Sequence, residues 1–303
     1  MVADTVIERY RLVEQQPLDL PEAQQFCAEL TSTHYENFTV VSWFLPRELR
    51  QHFANVYAYC RVSDDLADEI SGDSESLAWL ERWRGALRAM YAGEARHPVF
   101  VALWSTVQRF DIPCEPFEHL LDAFVQDRHQ TRYATYSDLL DYCRRSADPV
   151  GRLVLYLGGY RDELRQRLSD YTCTALQLTN FWQDVRRDYA KGRVYLPQED
   201  LAQFGVDEQQ IAHARCDEAW RALLRFEVER TRELFRAGLP LLDMLDGHLR
   251  RDVALFSAGG WRILDLIARQ DYDTLTSRPA LGKLGKVSLM LRLLVKGGTP
   301  WRF

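Results

Sequence analysis

Long apolar runs are missing from this 303-residue chain. No stretch of roughly 18 or more apolar residues occurs, so no segment reads as a membrane-spanning helix. The segment from Met1 to Gln15 breaks its apolar residues with Asp4, Glu8 and Glu14. It has no apolar h-region, which argues against a secretory signal. Cysteine is present but never as a Cys-x-x-Cys pair. Cys27, Cys60, Cys114, Cys143, Cys173 and Cys216 lie far apart. They read as reduced, mostly buried thiols of a cytosolic protein, neither a disulfide framework nor a zinc site. A large charge of one sign is lacking too: the net charge of −6 gives no reason to expect a nucleic-acid partner. No Gly-x-Gly-x-x-Gly follows a strand pattern, which excludes a Rossmann cofactor domain.

Strand-like alternation is scarce, and hairpin turns are almost absent; Asp246-Gly247 lies in a helical context. What remains is helix. Apolar periodicity places helices at about Pro21–Leu30, Pro46–Glu69, Ser74–Ala92, Pro98–Phe110, Pro116–Gln130 and Tyr136–Arg145. Later ones fall at about Pro149–Leu157, Arg161–Tyr189, Asp207–Leu239, Gly247–Ala268 and Lys283–Val295. Pro46, Pro98 and Pro116 sit where a first-turn proline belongs. With no Ser/Gly/Pro-rich linker or internal repeat, residues 1–303 read as a single all-α domain.

Two acidic clusters carry the chemistry. The first is Arg61-Val62-Ser63-Asp64-Asp65-Leu66-Ala67-Asp68-Glu69. The second runs from Asn180 through Gln183, Asp184 and Asp188 and continues into Lys191-Gly192-Arg193-Val194-Tyr195. Carboxylates four residues apart stack on one helix face, and stacked like charges repel unless something positive binds. Hard oxygen ligands so arranged suit Mg²⁺, which commonly bridges a few carboxylates to phosphate oxygens. Asp64, Asp65, Asp68, Asp184 and Asp188 are the candidate metal ligands. On the second helix Gln177, Asn180, Asp184 and Asp188 form one polar stripe on an otherwise apolar surface. Such a stripe suits a wall of a cavity holding metal and diphosphate. Arg61, one turn before Asp65, either holds a phosphate oxygen or orients a carboxylate; Lys191, Arg193 and Tyr195 offer further donors. A solvated acidic face and a buried structural network are the plainer alternatives.

The ordered set Asp64–Glu69, Tyr142-Cys143 with Ala147 and Gly151, Gln177–Asp188 and Gly192–Pro197 resembles the squalene/phytoene synthase family over most of the chain. The resemblance implies an isoprenoid synthase fold, helices around a central cavity with two facing Asp-rich motifs. It implies several Mg²⁺ ions and a prenyl diphosphate substrate. It makes Asp64, Asp68, Asp184 and Asp188 metal-binding, and Arg61, Lys191, Arg193 and Tyr195 diphosphate-contacting; Gln177 and Gln183 join the candidate diphosphate-binding set. Tyr142, Gln177 and Asn180 become cavity-lining. His34–Trp43, Tyr142–Gly151 and Asn180–Asp184 resemble the bacterial hopanoid branch called hydroxysqualene synthase. That branch ionises presqualene diphosphate and lets water capture the rearranged cation, with no need of NADPH. One departure stands out. Many relatives carry Arg where this chain has Gln183, which removes a charge and a bidentate donor from the diphosphate region. Rival expectations keep the fold and change the product: presqualene diphosphate, squalene or phytoene.

An isoprenoid cation needs a dry pocket with π faces. Phe38, Trp43, Tyr57, Tyr142, Phe181, Phe256 and Trp261 are candidate liners. Pro149 and Gly151 are expected to interrupt a helix and open space. Asn37, Tyr142 and Asn180 are candidates for placing the attacking water, and Tyr195 completes the catalytic set. From Leu281 to Phe303 five basic residues interleave with apolar ones and no acid appears. This tail reads as a last core helix with a basic edge, or as a peripheral contact with anionic lipid on the inner face of the cytoplasmic membrane.

Overall fold

The computed structural model describes residues 2–12, 18–33 and 46–282. Among these the secondary structure is helical, with no strand. The order is α1 Val2–Arg9, α2 Leu20–Thr33, α3 Arg47–Asp68, α4 Asp73–Tyr91, α5 Pro98–Phe110, α6 Glu115–Asp127 and α7 Tyr136–Ser146. It continues with α8 Asp148–Leu157, α9 Glu163–Ala190, α10 Gln198–Phe204, α11 Glu208–Ala212, α12 Glu218–Gly238, a 3₁₀ segment Leu239–Met244 and α13 Gly247–Arg269. The expected helix at Lys283–Val295 and the basic tail lie outside the described residues, as do His34, Asn37, Phe38 and Trp43.

The starts of these helices follow local chemistry. The Thr135 hydroxyl accepts from the Asp138 N–H while the Asp138 carboxylate accepts from the Thr135 N–H, a complete capping box. Asp162 caps α9 by accepting from the Arg165 N–H, and Asp217 caps α12 by accepting from the Trp220 N–H. That last cap corrects an expectation. Asp207–Leu239 does not form one helix, because Ala214 takes a left-handed conformation (φ 51°) and Asp217 begins a new helix. Pro149 and Gly151 behave differently from expectation as well. The interruption falls before them, at Ala147, and both then sit within α8, where Pro149 occupies the tolerant first turn.

Contacts divide the chain into two compact units, Met1–His129 with Pro149–Arg161, and Gln130–Asp148 with Asp162–Phe303. In the first, α3 is the central helix, packed on α2, α4, α5 and α6. Its core includes Tyr59, Val62, Leu66, Leu87, Phe100 and Phe117, and α8 adds Leu153 and Leu157. The polar groups that α3 buries are satisfied. Asn55 donates to the Ala102 carbonyl (3.0 Å) and Tyr59 to the Phe117 carbonyl (2.9 Å), and the Trp83 indole N–H donates to the Ser63 hydroxyl (3.0 Å).

In the second unit α9 packs chiefly on α12 and α13. Gly260 lets α13 approach: a Cβ there would lie 2.6 Å from the Phe235 ring and 2.8 Å from Leu176. Trp182, fully buried on α9, donates to Thr231 on α12 (2.8 Å). One buried ionic group stands apart from the acidic clusters. Arg230 holds Glu227 through two bonds of 2.6 and 2.7 Å and reaches Asp200 at 2.6 Å. Its guanidinium lies 3.6 Å from the centre of the Tyr136 ring.

Glu227 has no exposed surface, and burial pushes its carboxyl up to about 8, with Arg230 opposing the shift and Asp200 adding to it. Between the unfolded value near 4.5 and about 8, the folded chain therefore holds a proton that the unfolded chain has released. This contribution to stability is complete below the unfolded value and is lost as pH rises through the folded one. Unfolding free energies measured in urea across this window should fall with rising pH, and the slope should shrink in Glu227→Gln. An unchanged slope in that variant would show that Glu227 ionises normally.

Candidate functional site

The first acidic cluster closes α3. Its last turn is tied down from outside: the Ser76 hydroxyl donates to the Leu66 carbonyl (2.8 Å) and Arg128 to the Ala67 carbonyl (2.8 Å). These bonds satisfy carbonyls that a helix end leaves without partners. Neighbouring aspartates then meet opposite fates, because each residue turns 100° about the axis. Asp64 is half-exposed and Asp68 exposed, together on one face. Asp65 points into the protein with 1% of its surface exposed. There it accepts a short hydrogen bond from the Tyr10 hydroxyl and a 2.5 Å contact from Arg61, with Arg9 at 3.5 Å.

Among the aspartates of the expected metal set on α3, Asp65 is the one turned inward. Its oxygens are spent joining the segment after α1 to α3. Burial holds its carboxyl above the usual carboxylate range, with Tyr10 and Arg61 opposing. The same burial, with Asp65 as neighbour, pushes the Tyr10 hydroxyl up to about 12. Arg61 is the orienting group of the cluster, 2.5 Å from Asp65 and 3.6 Å from each of Asp64 and Glu69.

The second cluster lies on α9. The polar stripe is present: Gln177, Asp184 and Asp188 are half-buried and Asn180 exposed, while Leu178, Phe181, Trp182 and Val185 are buried between them. Asn180 donates to Asp184 at 3.2 Å. The helix ends in a Schellman turn. Arg193 N–H donates to the Asp188 carbonyl (2.8 Å) and Gly192 N–H to the Tyr189 carbonyl (2.9 Å). Gly192 has φ 81°, a conformation that costs an L-residue about 1–2 kcal/mol. Arg132 clamps the same turn by donating to the Gly192 carbonyl (2.6 Å). Lys191 is exposed at the helix cap and Arg193 half-buried just past it.

Tyr142 and Tyr195, chosen from sequence, come together. The Phe181 and Tyr195 rings stack at 3.7 Å, and Tyr142 lies 5.9 Å from Tyr195 and 6.2 Å from Phe181. Tyr133, missed in the sequence reading, completes the group at 5.5 Å from Tyr142. Trp261 does not join it: Phe235 packs against it, and Arg232 and Arg236 lie within 5.5 Å of its ring. A ring already faced by two guanidinium groups is a poor seat for a carbocation. Phe256 is exposed, and Tyr57 half-buried on α3.

Two further residues change the expected picture. Gln183 donates to the Pro279 carbonyl (2.5 Å), so its amide fastens the segment after α13 to α9. Arg278 forks onto Asp184, Nε to Oδ1 at 2.6 Å and Nη2 to Oδ2 at 2.8 Å. No sequence motif marked Arg278; only folding brings it to α9.

The donor set can be tested against Mg²⁺. Among the described residues no three His, Cys, Asp or Glu side chains converge. Each acidic helix instead offers a pair of carboxylates one turn apart, which fits an ion bound through one or two carboxylates plus substrate phosphate oxygens. A like-charge pair at this spacing costs only about 0.2–0.5 kcal/mol. One buried leucine offsets it severalfold at about 1.5–3 kcal/mol. The helices therefore fold without the ion. Asp65→Ala, which strands Tyr10 and Arg61, should destabilise the chain by about 2–3 kcal/mol in urea unfolding. Asp64→Ala and Asp68→Ala should stay within about 0.5 kcal/mol of the parent. Equal losses at all three positions would refute the division between anchor and ligands.

The chain was compared with known proteins. The family model described as squalene/phytoene synthase matches residues 31–285. A 15-cis-phytoene synthase of Synechococcus elongatus is 31% identical over 271 residues, covering 86% of this chain and 88% of the relative. A crystal structure of the squalene synthase HpnC from Alicyclobacillus acidocaldarius superposes with a TM-score of 0.81 at 46% identity, covering 84% of this chain and 95% of that one. A dehydrosqualene synthase solved with a ligand shares the fold, with a TM-score of 0.82 at 23% identity over 96% of this chain and 98% of that one. The all-α architecture is therefore the isoprenoid synthase fold.

Proposed function

We propose, on the premise that this chain belongs to the squalene/phytoene synthase family, that it converts presqualene diphosphate to hydroxysqualene with loss of diphosphate and capture of water. It is an isoprenoid-processing enzyme of this type, and a prenyl diphosphate suits its chemistry. The observation that carries the finer reading is the 46% identity to a squalene synthase, against 31% to a phytoene synthase. It favours the C30 arm of the family. Within that arm, water capture without NADPH rests on the likeness of His34–Trp43, Tyr142–Gly151 and Asn180–Asp184 to the hopanoid branch.

Asp64 and Asp68 on α3, and Asp184 and Asp188 on α9, are the residues that would hold Mg²⁺, whose chemistry is to neutralise charge on a departing diphosphate. The protein's own groups do the rest. Arg193, fixed just beyond Asp188 by the Schellman turn, donates charge-assisted hydrogen bonds to the diphosphate. Lys191 and Gln177 add donors at its edge. The substrate C–O bond breaks with its electron pair leaving on the diphosphate. Phe181, Tyr142 and Tyr195 present π faces to the resulting cation. Asn180, held at 3.2 Å from Asp184, orients the water whose oxygen forms the new C–O bond and then gives up a proton to the released diphosphate.

Purified protein with Mg²⁺ and no NADPH should release hydroxysqualene from presqualene diphosphate and turn over farnesyl diphosphate little. Asp68→Asn and Asp184→Asn should each lower that rate at least about 100-fold, since even outer-shell metal partners are worth 10–100-fold. Presqualene diphosphate accumulating from farnesyl diphosphate, or phytoene from geranylgeranyl diphosphate, would replace the hydroxysqualene reading with that of a synthase for the first step or for carotenoids.

A further inference from the structure

Asp184 has both of its oxygens engaged before any cation arrives. Arg278 donates to Oδ1 at 2.6 Å and to Oδ2 at 2.8 Å, and Asn180 also donates to Oδ2 at 3.2 Å. The carboxylate is largely sheltered, its side chain 12% exposed. Arg278 is not a loose surface cation that happens to reach it. The segment carrying it is fastened to α9 by Arg186 donating to the Leu275 carbonyl (3.1 Å) and by Gln183 donating to the Pro279 carbonyl (2.5 Å). Gln270 braces the same segment through the Ser277 carbonyl (2.9 Å).

A guanidinium fork and a divalent cation want the same thing. The fork spans both oxygens of a carboxylate, and Mg²⁺ or Mn²⁺ needs at least one of them at close range. On Asp184 the fork and Asn180 together take three of the carboxylate's roughly four lone-pair sites, and the fork's charge opposes that of an arriving cation. We propose that Arg278 is a built-in counter-ion that latches Asp184, so that a cation reaches the second acidic pair only by displacing the fork. The proposal rests on the reading that Asp184 and Asp188 hold a divalent cation. It adds that the chain itself sets how readily the cation loads when no substrate is present. In structural terms Arg278 is a positioning residue: it holds Asp184 in place and relieves its repulsion with Asp188 while the metal is absent.

Arg187 supplies a control, because its guanidinium lies 3.6 Å from Asp184 without forking onto it and is mostly exposed. The test is Mn²⁺ binding to the full chain without substrate, followed by the electron paramagnetic resonance of free Mn²⁺. Arg278→Gln should tighten binding about fivefold or more, and Arg278→Lys, which keeps the charge and loses the fork, should fall between it and the parent. Arg187→Gln should change affinity less than about twofold. In chelator, Arg278→Gln and Asp184→Asn should be coupled in a double-mutant cycle of unfolding, and saturating Mn²⁺ should shrink that coupling. Equal tightening by Arg278→Gln and Arg187→Gln would mean charge alone matters, and the latch falls. Mn²⁺ binding unaffected or weakened by Arg278→Gln overturns the latch and leaves the metal reading standing. No binding to the parent or to any variant overturns the metal reading and the latch with it.

Discussion

Carboxylates stacked one helical turn apart repel one another weakly, and where their counter-charges sit is a local constraint on the polar architecture at both helix ends. Each acidic helix answers it with two arginines, one of its own and one from elsewhere in the chain. On α3, Arg61 stands among Asp64, Asp65 and Glu69, and Arg9 approaches Asp65 and Glu69 from beyond the helix. On α9, Arg278 and Arg187 stand against Asp184. The answer differs in kind. Around α3 the cations gather on the aspartate that is turned inward, leaving Asp64 and Asp68 outward-facing. Around α9 the strongest cation sits on an aspartate of the functional face itself.

That difference follows from what each helix has behind it. The C-terminal turn of α3 is capped by Ser76 and Arg128, so its geometry does not depend on the acidic side chains. The end of α9 is set by its backbone, through the Schellman turn at Gly192 and the clamp from Arg132. In both cases the bonds that fix the helix end are made without the acidic side chains. Rigid elements hold a site better than loops do, and here each pair of carboxylates rides on the last turns of a buried helix.

Much of this was legible in residue order. Apolar period and first-turn prolines locate most helices to within a few residues, because these are local effects. The stripe Gln177–Asn180–Asp184–Asp188 is equally local, since 3.6 residues per turn is enough to draw it. What escaped was tertiary. Asp65 has the same spacing to Glu69 as Asp64 has to Asp68, and what sets Asp65 apart is tertiary: it turns inward onto Tyr10 and Arg9. α1 escaped because it is short, at eight residues, and its apolar residues are broken by Asp4 and Glu8. Arg278 sits in a turn with no periodicity. Gln183 was marked for a missing charge, yet its amide works on the Pro279 backbone. The break at Ala214 depends on a left-handed residue that no glycine announces.

The interleaving of the two units has a consequence for synthesis. The chain passes between units three times, so neither is complete when its first segment has been made. The core around α3 waits for Leu153 and Leu157, and by then Tyr133 and Tyr142 have left the ribosome without Phe181 and Tyr195. Those two aromatic side chains, fully or almost fully buried in the finished protein, must stay exposed while roughly a further turn-and-helix of sequence emerges. A nascent chain stalled after α8 would therefore show a sticky aromatic surface, of the kind that general chaperones bind, until α9 arrives to cover it.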